Sequence, residues 1–403
     1  MQQSSPHPRQ IRSLDDLNRL LTEAADLRRQ AVAAILAGRP TPPAIPAALE
    51  RAVTELRAAA GRDHCVEVTQ ADDVTLRLDL AEEISQLEND VAYLEGGREA
   101  LLRRLAKHRP GLRDAVRRGL KVIAGETVNT LLIDCDALWR EPGQRMITAY
   151  QPAWNAVAAC RFALARARKP MLWSDAPLSG PGILDRTAVP LHTFAFAASL
   201  GRQWRDADGR EGQAPLSSEK TELLEAINDR LAALMADPAW FAFTYVGHGL
   251  QFRRGETSIA RQDSGLSIDE DASLALLEHV HDVVDAVDPE RRHFRVDDDG
   301  QDITITPTAA TRDLWNDFSP AEGLRNLDTA LELHLGQGPH LACCAGPQGV
   351  ALLAALAKHT TDLRAVLVTD RDDLASRAVA ICPKTAVVRR PDTVAALLSA
   401  AAP

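Results

Sequence analysis

Apolar positions in the first third of the chain recur with a helical period. Leu17, Leu20, Leu21, Ala24 and Leu27 form one stripe behind Ser13, which stands as a cap before Leu14-Asp15-Asp16. Gly38 and the prolines from Pro40 to Pro46 end that helix. A second helix is expected over 46–60. A long third one is expected over 80–107, where Leu80, Ile84, Leu87, Val91, Leu94 and Leu101 line one side. Residues 1–127 therefore read as a helical domain for packing or oligomerisation. At residue 128 the texture changes. Short continuous apolar runs of the buried parallel-strand kind appear at 130–133, 171–173, 193–198, 340–344, 365–369 and 385–388. Helical patterns over 154–167, 324–334, 350–358, 373–380 and 391–401 separate most of them, which argues a parallel α/β sheet.

Between 215 and 308 the rhythm differs. A helix over 217–235 leads to strand-like stretches at 241–245 and 249–252. A second helix over 268–287 leads to strands at 293–296 and 302–305, turned by Asp298-Asp299-Gly300. This αββαββ pattern predicts an inserted α+β cap over the sheet's carboxyl edge, where ligands of open α/β sheets bind. The expected division is a helical domain at 1–127, a core in two parts at 128–214 and 309–403, and the cap at 215–308.

Composition narrows the partners. The 403 residues are 45% hydrophobic and 25% charged, enough to bury a sizeable core, and the net charge of -10 comes without a dense basic run. Neither nucleic acid nor an anionic membrane surface is expected as a partner. No apolar run is long enough to span a bilayer, and the polar start lacks a secretory pattern. The six cysteines include no CxxC pair, so a reduced, cytoplasmic protein with buried thiols is expected.

The chemistry begins at Ile133-Asp134-Cys135-Asp136, where the first buried strand ends in two acids. Buried carboxylates are costly as mere packing. One carboxylate can attack phosphorus, and a second can protonate a leaving alcohol and then activate water. A helix cap or a solvated loop would account for the same two acids. The second strand ends at Trp173-Ser174, where a hydroxyl can donate to a phosphate oxygen or simply serve a turn.

From Leu131 onward the chain resembles the trehalose-6-phosphate phosphatase branch of the haloacid-dehalogenase superfamily. Ile133-Asp134-Cys135-Asp136-Ala137-Leu138 resembles the family's hhDxDGT opening. Ala198-Ser199-Leu200-Gly201-Arg202, the turn Asp206 to Arg210, the αββαββ insert and the Arg390-Pro391-Asp392 ending follow the family's order and spacing. The resemblance implies a Rossmannoid sheet with a cap. It implies Asp134 as nucleophile, Asp136 as acid/base, Ser174 as phosphate donor, and Mg²⁺ held at Asp134 and the Asp136 carbonyl. It further implies a small-molecule sugar phosphate as substrate, met by cap residues from Tyr245 to Arg253, with Arg202 nearby. His248 is placed to reach a sugar hydroxyl, against the plainer expectation of an exposed hairpin histidine.

The chain departs from that pattern at three places. Ala137-Leu138 stands for Gly-Thr, Pro320 stands where the family has a lysine, and Ala345 and Gly349 stand where it has two metal-binding acids. Asp370, Asp372 and Asp373 are candidates to substitute for the acids, and Arg325 for the lysine. Two expectations follow. One is a phosphatase for a disaccharide or pseudo-disaccharide phosphate, of the trehalose 6-phosphate or validoxylamine 7'-phosphate type, working through an aspartyl-phosphate. The other is a catalytically degenerate relative that binds a sugar phosphate or a protein, with the N-terminal helices available for self-association.

Overall fold

The structure, a computed structural model, describes residues 11–69, 75–123, 125, 127–140, 145–263, 265–308 and 319–402. It opens with α1 (Leu14–Leu36) and α2 (Ala44–Ala60), a hairpin of β1 (Cys65–Thr69) and β2 (Thr75–Asp79), then α3 (Ala81–His108) and α4 (Leu112–Ile123). Ser13 caps α1 as the sequence suggests, its side chain accepting the Asp16 N–H. The hairpin corrects the all-helical expectation. Val66, Val68, Leu76 and Leu78 are buried and alternate along two antiparallel strands, a period of two too short to stand out between helices. The long third helix is not continuous either, because Gly97 at φ 67° and ψ -170° breaks α3 in backbone space open to glycine.

The core then runs β3 (Val128–Asp134), α5 (Cys135–Leu138), α6 (Ala153–Arg166), β4 (Ala167–Trp173), α7 (Ile183–Arg186), β5 (Ala195–Ala198), β6 (Gln203–Arg205) and β7 (Glu211–Gln213). The cap follows as α8 (Ser218–Ala236), α9 (Pro238–Phe241), β8 (Leu250–Arg253), β9 (Glu256–Ala260), α10 (Glu270–Val287), β10 (Phe294–Asp298) and β11 (Asp302–Pro307). The chain returns through α11 (Pro320–Ala330), β12 (His340–Ala345), α12 (Gly346–Leu356), β13 (Leu363–Val368), α13 (Asp372–Ile381), β14 (Thr385–Val388) and α14 (Pro391–Ala401).

The main sheet has the order β14-β13-β12-β3-β4-β5-β6-β7, parallel from β14 to β5, with β6 and β7 added as an antiparallel edge. From β3 the chain builds outward through β4 and β5, crosses the cap, and returns to build the other side from β12. The order therefore reverses between β3 and β12, and the crevice at such a reversal is where an open α/β sheet binds ligands. The cap is a second sheet, β10-β11-β9-β8, under α8 and α10. Its αββαββ order agrees with the sequence, but its first hairpin does not. Phe241–Tyr245 is helical, at the end of α9 and in a 3₁₀ turn, and the hairpin is β8 with β9. Asp237 caps α9 and Pro238 sits in its first turn, both helix-starting signals.

One apolar cluster runs from Leu14 through α6 and the sheet to Ala401, so the N-terminal helices share a core with one face of the main sheet. The other face is covered by α11, α12 and α13. Arg28 on α1 and Asp90 on α3, at most 5% exposed, pair at 2.6 Å, and Asp90 also accepts the Trp154 N–H of α6. Breaking a buried pair of this kind costs about 3–5 kcal/mol. The apolar stripe of α3 is thus used within its own chain.

Candidate active site

Asp134 closes β3 at the centre of the sheet, beside Trp173 of β4, one strand from Cys343 of β12. It is 8% exposed. Its Oδ1 accepts the Asp136 N–H at 3.1 Å, so it caps the short α5, and its Oδ2 accepts the Ala345 N–H at 3.3 Å. Both carboxylate oxygens therefore already receive backbone donors. Burial first, and then the charge of Asp136, push the Asp134 carboxyl well above the usual carboxylate range.

Asp136 is half-buried and lies on the wall of a cavity of about 800 Å³. The core contributes Arg140, residues Ala345 to Gln348, and Thr369 to Arg371 to that wall. The cap contributes Gly247, His248, Gln262, Asp263, Gln301 and Asp302. The cap thus roofs the carboxyl edge as the sequence suggested. Asp136 Oδ2 lies 2.7 Å from Arg140 Nη2. Desolvation raises the Asp136 carboxyl, and Arg140 offsets part of that rise.

Asp175 and Arg140 are site residues that the sequence reading missed. Arg140 follows Asp136 by four residues, one helical turn, which was a legible signal. Asp175 follows Ser174 directly. Desolvation raises its carboxyl, but Arg253 and Arg140 outweigh it and hold the group below the usual range. Arg253 Nη2 reaches Asp175 Oδ2 at 3.2 Å, and its Nη1 reaches the buried Glu256 at 2.8 Å. The β8–β9 turn also sends the Arg254 N–H to Ser199 Oγ at 3.0 Å and the Arg254 Nε–H to the Ala214 carbonyl. Arg253 therefore clamps cap to core instead of lining the cavity.

The remaining candidates divide. Ser174 is buried at the end of β4, where its Oγ accepts the Ala176 N–H at 3.1 Å. Arg202 is buried under the cap turn, where a Cβ added to Gly255 would lie 2.9 Å from its Nη1. Neither belongs to the cavity wall. His248 does, but it is not the exposed hairpin residue expected. Its side chain is 10% exposed, with Nε2 3.0 Å from Ser258 Oγ and 3.1 Å from Asp302 Oδ1. Pro320 opens α11 behind Ser319, while the preceding Asp317-Phe318 lies outside the described residues. Arg325 is exposed and bonded to Glu322, away from the cavity wall. Of the three acids after β13, only Asp370 lines the cavity, and Asp373 is bonded to Arg371.

The donors around Asp134 do not fit a divalent cation. Mg²⁺ takes oxygen ligands, and Ala345 and Gly349 offer no side-chain oxygen. Gly349 leaves no room for one, since a Cβ there would stand 2.9 Å from Cys344 Cβ and 3.0 Å from its carbonyl carbon. Asp134 is engaged by two N–H groups, Asp136 by Arg140 and Asp175 by Arg253. Among the described residues no group of three or more His, Cys, Asp or Glu is placed to hold a metal ion. The expectation that Asp134 and Asp136 are metal ligands is thus not supported by the surrounding donors.

The core is one mostly parallel sheet with helices on both faces, a pair of acids at its reversal point and an inserted cap over its carboxyl edge. The family model described as trehalose-6-phosphate phosphatase, C-terminal, matches residues 131–394, and the one described as the N-terminal helical bundle domain of the same family matches residues 13–106. The chain belongs to the trehalose-6-phosphate phosphatase family. It is 25% identical over 395 residues to an alpha,alpha-trehalose-phosphate synthase of Aphelenchoides avenae, covering 93% of this chain and 30% of the relative. It is also 25% identical over 276 residues to a trehalose-phosphatase of Brugia malayi, covering 60% of this chain and 55% of that one. The chain thus spans about a third of the length of the synthases it matches. Among solved structures it is similar to the Aspergillus fumigatus trehalose-6-phosphate phosphatase, at 12% identity and a TM-score of 0.37 over 72% of this chain and 97% of that one. Among the described residues no helix is long and apolar enough to cross a membrane.

Proposed function

We propose that this chain is a phosphoric monoester hydrolase acting on a disaccharide phosphate of the trehalose 6-phosphate type. The observation that carries the reading is the pair Asp134 and Asp136 at the carboxyl end of the central strand, with Asp136 on the wall of the cap-roofed cavity. An Asp134 oxygen attacks phosphorus, the bond from phosphorus to the sugar oxygen breaks, and the Asp136 carboxyl passes its proton to that oxygen. Asp136 then takes a proton from water as the water oxygen attacks the aspartyl-phosphate. That releases inorganic phosphate and restores Asp134. Burial raises the Asp136 carboxyl, the direction that favours its acid form, while Arg140 offsets part of that rise. Ser174, at the end of the neighbouring strand, has a hydroxyl proton to donate to phosphate. No step here depends on a metal.

The test is phosphate release from trehalose 6-phosphate and from p-nitrophenyl phosphate by the wild type and by Asp134→Asn. Turnover that disappears with the substitution supports the reading. Equal background release from both proteins sinks it. A second reading, a sugar-phosphate binder without turnover, is favoured by one observation: both Asp134 oxygens are already held by N–H donors. It predicts saturable binding of trehalose 6-phosphate with no phosphate released.

A further inference from the structure

We propose that Arg140 is a resident cation of this site, receiving the phosphoryl group in the role that the family pattern gives to a metal ion and a lysine. The inference rests on the phosphatase reading for its substrate class but not on turnover. Arg140 is partly exposed on the cavity wall, one turn beyond Asp136. Its Nη2 bonds Asp136 at 2.7 Å, and among the described residues its Nη1 meets the Met146 sulfur at 3.7 Å, a weak acceptor. A guanidinium has five N–H donors, so most of its capacity is not committed to a carboxylate. Its charge lies within reach of Asp134, Asp136 and Asp175 together.

Arg389 and Arg390 also line the cavity, but neither is bonded to Asp136 as Arg140 is, and two further arginines nearby are engaged. Arg253 spends Nε and Nη2 on Gln251, Nη1 on Glu256 and Nη2 again on Asp175. Arg371 is bonded to Asp373 through both Nε and Nη2. A guanidinium also matches a phosphate geometrically, because its fork can donate two parallel hydrogen bonds. Next to it, α12 begins at Gly346 with no side-chain cap and no acid in its first turn, so the positive end of its dipole meets the same cavity.

The charge balance points the same way. Ala345 and Gly349 carry no charge where the family pattern has two metal-binding acids. Pro320 carries none where that pattern has a lysine, and Arg140 is the cation bonded to Asp136. A divalent ion would have to displace Arg140 from Asp136 in order to bind there.

The experiment is titration of tungstate, as a phosphate mimic, into the full chain in EDTA and in Mg²⁺, for the wild type, Arg140→Gln and Arg140→Lys. Phosphate release from trehalose 6-phosphate is measured alongside. Wild-type affinity should be the same within about twofold with and without Mg²⁺. Arg140→Gln should weaken it by about tenfold or more, and Arg140→Lys should retain an intermediate affinity, since a point charge lacks the fork. Tungstate binding that requires Mg²⁺, no tungstate binding at all, or full affinity in Arg140→Gln overturns the proposal. If Arg140→Gln does not fold, the Mg²⁺ comparison on the wild type and the lysine variant decide it. Arginine-dependent binding without any turnover would keep this inference and remove the hydrolase reading. Turnover strictly dependent on Mg²⁺ would do the reverse.

Discussion

The two sides of the active-site crevice have diverged unequally. On the β3–β4 side the acids Asp134 and Asp136 and the hydroxyl of Ser174 stand where the resemblance places them, at the ends of neighbouring parallel strands. On the α11–β12 side Pro320, Ala345 and Gly349 stand where the family pattern has the lysine and two acids, and a Cβ at Gly349 would lie 2.9 Å from Cys344 Cβ. On the proposed phosphatase reading, the groups that would make and break bonds are kept, while those that the family pattern uses to manage charge are replaced. The comparison teaches that these two duties are physically separable. Attack needs one carboxylate at one place, but neutralising charge can be done by any cation within a few ångströms.

Four experiments would break or sharpen that contrast. The largest effect is expected from Asp134→Asn, which should lower phosphate release by on the order of 10⁴-fold or more, as loss of a nucleophile does. Steady-state turnover measures it, and a drop under tenfold would mean that the β3 side is not the attacking side. Next, Arg253→Ala strands the buried Glu256 and frees Asp175, which should destabilise the cap's attachment by about 3–5 kcal/mol. Urea unfolding reads that change, and an unaltered midpoint would refute the clamp. Smaller again, Gly349→Asp should lower stability by about 1–3 kcal/mol through overpacking against Cys344 and confer no Mg²⁺ affinity. Tight Mg²⁺ binding by that variant would show that the α12 side is still open to a metal.

The smallest effect is in pH. The folded Asp134 carboxyl lies well above its unfolded value, by burial first and by Asp136 next. A carboxyl raised in this way contributes stability that is fully present below its unfolded pKa of about 3.9 and is lost as pH rises through the folded value. The stability difference between the wild type and Asp134→Asn, read from urea midpoints between about pH 4 and 8, should therefore shrink with rising pH. A difference that grows with pH would contradict the sign.

Much of the fold was legible because burial writes a period into the chain. The runs 130–133, 340–344 and 365–369 are apolar apart from Thr130, His340 and Thr369 because both faces of β3, β12 and β13 are covered. The misses were short or ambiguous. The β1–β2 hairpin has only a few alternating positions. Phe241-Ala242-Phe243-Thr244-Tyr245 is rich in strand-forming residues, yet it follows a capped Pro238 and stays helical. In the site, Asp134 and Asp136 were readable because they are adjacent in sequence at a strand end. Asp175 with Arg253, 78 residues apart, was not, since only docking of the cap turn brings them together.

The sequence by itself determined the alternation of strands and helices, the place of the inserted cap, the acidic pair at the end of β3, and the loss of acids at 345 and 349. These follow from local composition and period, which one chain displays without a partner. The i,i+4 spacing of Asp136 and Arg140 was also there to be read, whereas only the tertiary structure decided that Arg253 holds Asp175 to Glu256. It also decided that Gly349 leaves no space for a carboxylate. Those facts depend on distances between segments, which hydrophobic burial and packing set and which no local pattern encodes.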